Sequence, residues 1–149
     1  MPELRVALHP AHGRWLDELA DLSELVWATT WQHEANRVLS PLLGLPQDLP
    51  VLPLRMDPLF HGRYAWKTDQ IADWVGPRPF VWIDDAINRR TRDRLGTVGW
   101  LGPHLALRID PALGLRRADV ERVSGWLQER CLQKGTPESH PPVSFSWTG

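Results

Sequence analysis

Hydroxyl, ammonium and paired carboxylate groups recur in this chain at places that an α/β fold could bring together. They are Thr29 and Thr30, then Lys67, then Asp84 and Asp85. A threonine hydroxyl donates a hydrogen bond to a phosphoryl oxygen. A lysine ammonium neutralises charge on that oxygen and on a nearby carboxylate. Aspartates are hard oxygen ligands that suit Mg2+. The set therefore points to a phosphate ester and a magnesium ion. Each member also has a plainer reading: Thr29 as a β-branched strand residue, Lys67 as a solvated helix lysine, and Asp84-Asp85 as helix caps. Lysine is rare here, with only Lys67 and Lys134 among 17 basic residues, so its position carries more information than usual.

The elements that must position these groups follow from periodicity. Residues 5–9 are expected to form a short strand, and residues 10–21 place Trp15, Leu16, Leu19 and Ala20 at helical spacing. The compact β-type run at 24–29 ends on the two threonines, and Thr30 can cap a helix over 31–43 that Gly44 stops. A brief strand at 51–54 lies among prolines. A helix over 66–75 carries Lys67 near its start and closes at Gly76-Pro77. The run Phe80-Val81-Trp82-Ile83 is the clearest strand and leads directly into Asp84-Asp85, followed by a helix over 86–95. A further strand at 105–109, a turn at Asp110-Pro111 and an amphipathic helix over 117–133 complete the pattern. Residues 135–149 hold three prolines and several hydroxyl residues and are expected to be a loose tail behind one domain at 1–134.

Strands alternating with helices imply a three-layer, Rossmann-like α/β fold with a mainly parallel sheet and helices on both faces. Ligands in such sheets sit beyond the carboxyl ends of the strands. Thr29-Thr30 and Asp84-Asp85 stand at two such ends.

The order and wording of these segments resemble the haloacid dehalogenase superfamily. The carriers are Trp27-Ala28-Thr29-Thr30-Trp31, His33-Glu34-Ala35-Asn36, Leu43-Gly44-Leu45-Pro46, Trp66-Lys67-Thr68 and Val81-Trp82-Ile83-Asp84-Asp85. They look like the small actinobacterial-type branch related to the phosphatase-like domain of multidomain RNA-repair proteins. The resemblance implies a Mg2+-dependent phosphoester hydrolase acting on a phosphorylated small molecule or a nucleic-acid end. It assigns phosphate binding to Thr29, with Thr30 the second choice. It makes Lys67 the motif-three lysine, and Asp84 and Asp85 the magnesium carboxylates, without saying which of the two touches the metal.

The departure concerns the superfamily's first motif, an Asp-x-Asp at the end of the central strand. No Asp-x-Asp occurs before Thr29, where the only acidic residues are Glu3, Asp17, Glu18, Asp21 and Glu24. On this reading the chain starts just past its nucleophile, and the natural protein is expected to be longer or a nucleophile-less relic. A phosphoaspartate cannot form without that carboxylate. The sheet is then expected to lack its first central strand, between the strands ending at Thr29 and at Asp84. That slot would have unpaired edges, open to a protein partner's strand. A non-catalytic domain that binds a phospho-ligand or a protein is the alternative function.

Composition narrows the rest. Net charge is −1, so no overall basic field marks a nucleic-acid or membrane-surface binder. The single Cys131 excludes an internal disulfide and a cysteine zinc cluster. No stretch reaches the roughly 20 apolar residues of a membrane span, and a cytoplasmic protein is the expectation. His33-Glu34-Ala35-Asn36-Arg37 puts an arginine where a zinc helix needs its second histidine. There is no Gly-rich phosphate loop. Among nine tryptophans, Trp31, Trp66 and Trp100 are candidates for a pocket wall, although packing is the plainer role for each.

Overall fold

The structure is a computed structural model that describes residues 10–28, 34–54, 65–110, 112–134 and 141–146. The expected strand at 5–9 lies outside these residues. The order is α1 (Pro10–Ala20), β1 (Glu24–Trp27), a π-helical turn (Ala35–Leu39), α2 (Ser40–Leu43), α3 (Ala65–Val75), β2 (Phe80–Asp84), α4 (Arg89–Gly96), β3 (His104–Arg108), α5 (Arg117–Lys134) and β4 (Pro142–Ser146). The four strands form one sheet in the order β1-β4-β2-β3, and every pairing is parallel. This is the α/β, Rossmann-like architecture the alternation implied. No helix among the described residues is long and apolar enough to cross a membrane.

Local chemistry sets the boundaries. α1 opens on Pro10, whose missing N–H costs nothing in a first helical turn. α2 and α3 end at Gly44 and Gly76, at φ 70° and 63°, a left-handed conformation that glycine adopts without steric penalty. α4 begins three residues later than expected, because Asn88 rather than an aspartate is its cap. The Asn88 side chain accepts from the Thr91 N–H and the Thr91 hydroxyl accepts from the Asn88 N–H. Of the helix expected over 31–43, the described part is a π-turn (Ala35–Leu39) followed by one short α-turn (Ser40–Leu43). The strand expected at 51–54 reduces to a single bridge, Trp27 with Val51. Prolines at 50 and 53 remove the donors a longer ladder would need.

Period-two alternation divides the core into two layers. Val81, Ile83, Val143, Phe145, Leu25 and Trp27 face α1 and α5, against Leu16, Leu19, Val120, Val123 and Leu127. Val26, Phe80 and Trp82 face α3 and α4, against Ile71, Val75 and Leu95.

The main correction concerns the end of the chain. Residues 142–146 are not a loose tail. They are the central strand, and they fill the place between β1 and β2 that was expected to be empty. Glu24 pairs with Pro142 and Trp27 with Phe145 on one side, while Val81 pairs with Val143 and Asp84 with Ser146 on the other. Pro142 is tolerated because it stands first in the strand. Val143 and Phe145 are fully buried, and the Phe145 ring lies 4.3 Å from that of Trp27.

Phe145→Ala should therefore cost about 3–5 kcal/mol, the usual penalty for emptying a buried aromatic site. Chemical denaturation checks this. A loss below about 0.5 kcal/mol, typical of a surface change, would mean that β4 is not a core strand.

Candidate functional site

The site is built by β2, by the turn after it and by the start of α3. α3 immediately precedes β2, packs on its face and runs against it, so its N-terminal turn reaches the carboxyl edge of the sheet. Alternation sends Trp82 and Asp84 to the α3 side. Lys67, the third residue of α3, meets Asp84 there in a salt bridge. The pair is desolvated: the Asp84 side chain is 0% exposed and that of Lys67 7%.

Asp84 is fully engaged within the protein. Its Oδ2 accepts from the Trp82 indole Nε1–H at 3.2 Å and faces the Lys67 ammonium. Its Oδ1 accepts from the Ala86 N–H at 2.9 Å, closing a turn of the Asx kind. The aspartate thus shapes the turn after the strand, while Asn88 caps the helix. Lys67 is less well served. Its ammonium is buried and ion-paired, but no described group meets it at hydrogen-bond geometry.

Asp85 behaves differently. It is half-buried, and its Oδ1 is buried with no hydrogen-bond partner among the described residues. Partial burial, first, and the adjacent Asp84 carboxyl push its pKa up to about 6, against the opposing charge of Lys67. Near neutrality this carboxyl is poised to exchange a proton or gain a cation.

Lys67, Asp84 and Asp85 are therefore brought together at one strand end, as their spacing suggested. Thr29 and Thr30 lie outside the described residues. The last described residue before them is Ala28, whose N–H donates to the Phe145 carbonyl at 3.1 Å. Trp31 and His33 also lie outside, as do the side chains of Trp66, Cys131 and Ser146. Trp100 does not wall this site. It is 52% exposed in the loop that leads into β3, at the opposite edge of the sheet. Asp110 is a turn former, accepting from the Ala112 N–H at 2.8 Å.

Sequence reasoning missed β4 itself, whose final residue pairs in register with Asp84. The available signal was the alternation Val143-Ser144-Phe145-Ser146, hidden by the neighbouring prolines.

Among the described residues, no three His, Cys, Asp or Glu side chains gather as a metal cage. Asp84 has both oxygens committed, whereas Asp85 has one to spare. Mg2+ commonly uses one or two carboxylates and takes its other ligands from water and phosphate. The donor set fits magnesium held by Asp85 in that way, and does not fit a closed protein cage. No family model, curated protein or solved structure matches this chain.

Two outcomes follow for stability. Lys67→Met strands the buried Asp84 charge and should cost about 3–5 kcal/mol. Lys67→Met with Asp84→Asn removes both charges and should recover part of that loss in chemical denaturation. For Asp85 the folded pKa exceeds the unfolded one, so the native state binds more protons between about pH 4 and pH 6. Its contribution to stability is thus lost as pH rises through that window. Asp85→Asn should be more stable than the wild type at pH 7.5, by roughly 1 kcal/mol after allowing for solvent screening. The gain should vanish at pH 4, and thermal melts of the two proteins at both pH values measure it.

Proposed function

We propose that this chain is a haloacid-dehalogenase-like, Mg2+-dependent phosphoester hydrolase domain that in its present sequence binds a phosphorylated ligand without forming a phosphoaspartate. The observation that supports it best is the buried Lys67–Asp84 pair beside Asp85, whose buried oxygen has no partner, at the carboxyl edge of a parallel sheet.

The charges argue for a cation. Lys67 and Asp84 cancel, and above about pH 6 Asp85 adds one uncompensated negative charge. A phosphate dianion would be repelled by that arrangement alone. Bound magnesium would supply the positive charge that lets phosphoryl oxygens approach. Asp85 would hold it, with water and the phosphate completing its coordination. Lys67 would donate its unused N–H groups to a phosphoryl oxygen. Asp84 would keep that ammonium in place and the following turn closed. Thr29 or Thr30, by resemblance, would supply a hydroxyl.

Turnover is a separate matter. No Asp-x-Asp occurs anywhere in the 149 residues, and β4, which holds the central place, ends in serine. A phosphoaspartate therefore has no carboxylate of its own to form on at that position. The net charge of −1 favours a small phosphorylated molecule or a nucleic-acid end over a long polynucleotide track.

Isothermal calorimetry with inorganic phosphate tests the reading. Binding should require Mg2+ and weaken at least about tenfold in Asp85→Asn, a loss of about 1.4 kcal/mol. p-Nitrophenyl phosphate should be hydrolysed no faster than in buffer. Equal phosphate affinity with and without Mg2+, or no affinity at all, sinks the binding role. Trapping of a phosphorylated protein would sink the assignment of inactivity.

A further inference from the structure

A cavity opens at the β1 edge of the sheet. It has a volume of about 460 Å3 and is lined by Asn36 and Arg37 of the π-turn and by residues 47–51. That volume lies in the range that holds a small organic ligand. None of its walls belongs to the Lys67–Asp84–Asp85 site. Val51 pairs with Trp27, Trp27 with Phe145 and Phe145 with Ile83, so the cavity stands three strand spacings from β2, roughly 14 Å away.

The backbone along this edge is unevenly served. The Trp27 N–H donates to the Pro50 carbonyl at 2.9 Å, and the Leu52 N–H donates to the Trp27 carbonyl at 2.8 Å. Residues 50 and 52 therefore face β1, and the intervening Val51 turns its own N–H and C=O off the edge. The neighbours that alternate with Val51 are Leu49 and Pro53. Leu49 is already capped by Asn36, whose Oδ1 accepts from the Leu49 N–H at 3.2 Å and whose Nδ2 donates to the Leu49 carbonyl at 2.7 Å. Pro53 has no N–H. Val51 alone is left with a donor and an acceptor side by side, and no described group meets either. Asn36 itself lines the cavity, so the cavity lies on the side to which this edge turns.

These features select the ligand. A partner strand needs a repeating ladder, which the asparagine cap and the proline interrupt on either side of Val51. A single amide-like edge fits, as the Asn36 amide demonstrates one position away. An anion does not fit. Arg37 is matched by Glu34, to which its Nε–H donates at 2.9 Å, and Asp48 adds a carboxylate to the wall. Leu49, Pro50 and Val51 supply apolar surface for the face of a ring.

We infer that this cavity binds an uncharged planar ring of the nucleobase class, with the Val51 N–H donating to a ring acceptor and the Val51 carbonyl accepting from the adjacent ring donor. The inference is independent of the phosphate reading above, and no bond is made or broken in the cavity.

Titration of the full chain with uridine, followed by amide NMR, tests it. The Val51 amide signal should move downfield as uridine is added. 3-Methyluridine, which lacks the ring N–H, should bind at least about tenfold more weakly, the loss expected when one hydrogen bond is removed and its partner is left unpaired. Val51→Pro deletes only an N–H that no described group uses, at an edge where proline is tolerated, and should weaken uridine at least about fivefold. Inorganic phosphate should not displace uridine. Equal affinities for uridine and 3-methyluridine, measured on the wild-type chain, overturn the role of Val51 whatever the variant does. No uridine binding, or binding that leaves the Val51 amide unmoved, overturns the site.

Discussion

β1 and β2 do not pair with one another, and this constraint governs the molecule. Each is hydrogen-bonded to β4, a strand of five residues that lies behind both in sequence. Without that strand, two rows of backbone donors and acceptors would be buried with no partners. The α1–α5 layer of the core would also lose Val143 and Phe145, both fully buried. The half of the fold that contains β1 and the half that contains β2 and β3 are thus joined across the sheet by one short segment. Central strands of parallel sheets are normally stabilised by burial on both faces, and β4 conforms, with residues 142–145 all buried.

The same segment explains why the fold was only partly legible. Phe80–Asp84 is a continuous apolar run into a carboxylate and was recognisable at once, as were α3 and α5 from their periodicity. β4 was read as a tail because two prolines precede it and serine alternates with its apolar residues. Its physical logic is visible only beside its neighbour. Ser144 sits in register with Trp82, both fully buried on the same side of the sheet. Small opposite large is a packing solution between strands, and a one-dimensional pattern cannot show it. The late start of α4 has a similar cause. Asp84 was a fair candidate for a cap, but its oxygens serve Ala86 and Trp82, and Asn88 caps the helix.

The passage from β1 into the next helix shows how the edge of the sheet is held. Trp27 donates its indole N–H to the Ser40 hydroxyl at 3.1 Å, and that hydroxyl donates to Asn36 Oδ1 at 3.2 Å. Asn36 in turn donates to the Leu49 carbonyl at 2.7 Å. A π-turn carries one extra residue per loop of the helix and recurs at functional sites. Here it places Asn36 and Ser40 where they join β1 to residue 49. The network ties down the end of β1. Trp27 is buried and bonded through both its backbone and its ring.

The two adjacent aspartates were indistinguishable by sequence, and their surroundings set them apart. Asp84 is buried with an ammonium, an indole N–H and a backbone N–H converging on it, so its charge is matched and its geometry fixed. Breaking such a pair from one side leaves an uncompensated buried charge, which makes it a scaffold for what stands next to it. Asp85 is that neighbour. Partial burial and the nearby Asp84 carboxyl raise its proton affinity, and Lys67, paired with Asp84, offsets this only in part. One carboxylate thus serves the fold, and its neighbour is left electrostatically unsatisfied. Partial burial makes that charge costly, so protonation relieves it. A proton neutralises Asp85 below about pH 6, and above it the carboxylate is charged at the half-exposed end of β2.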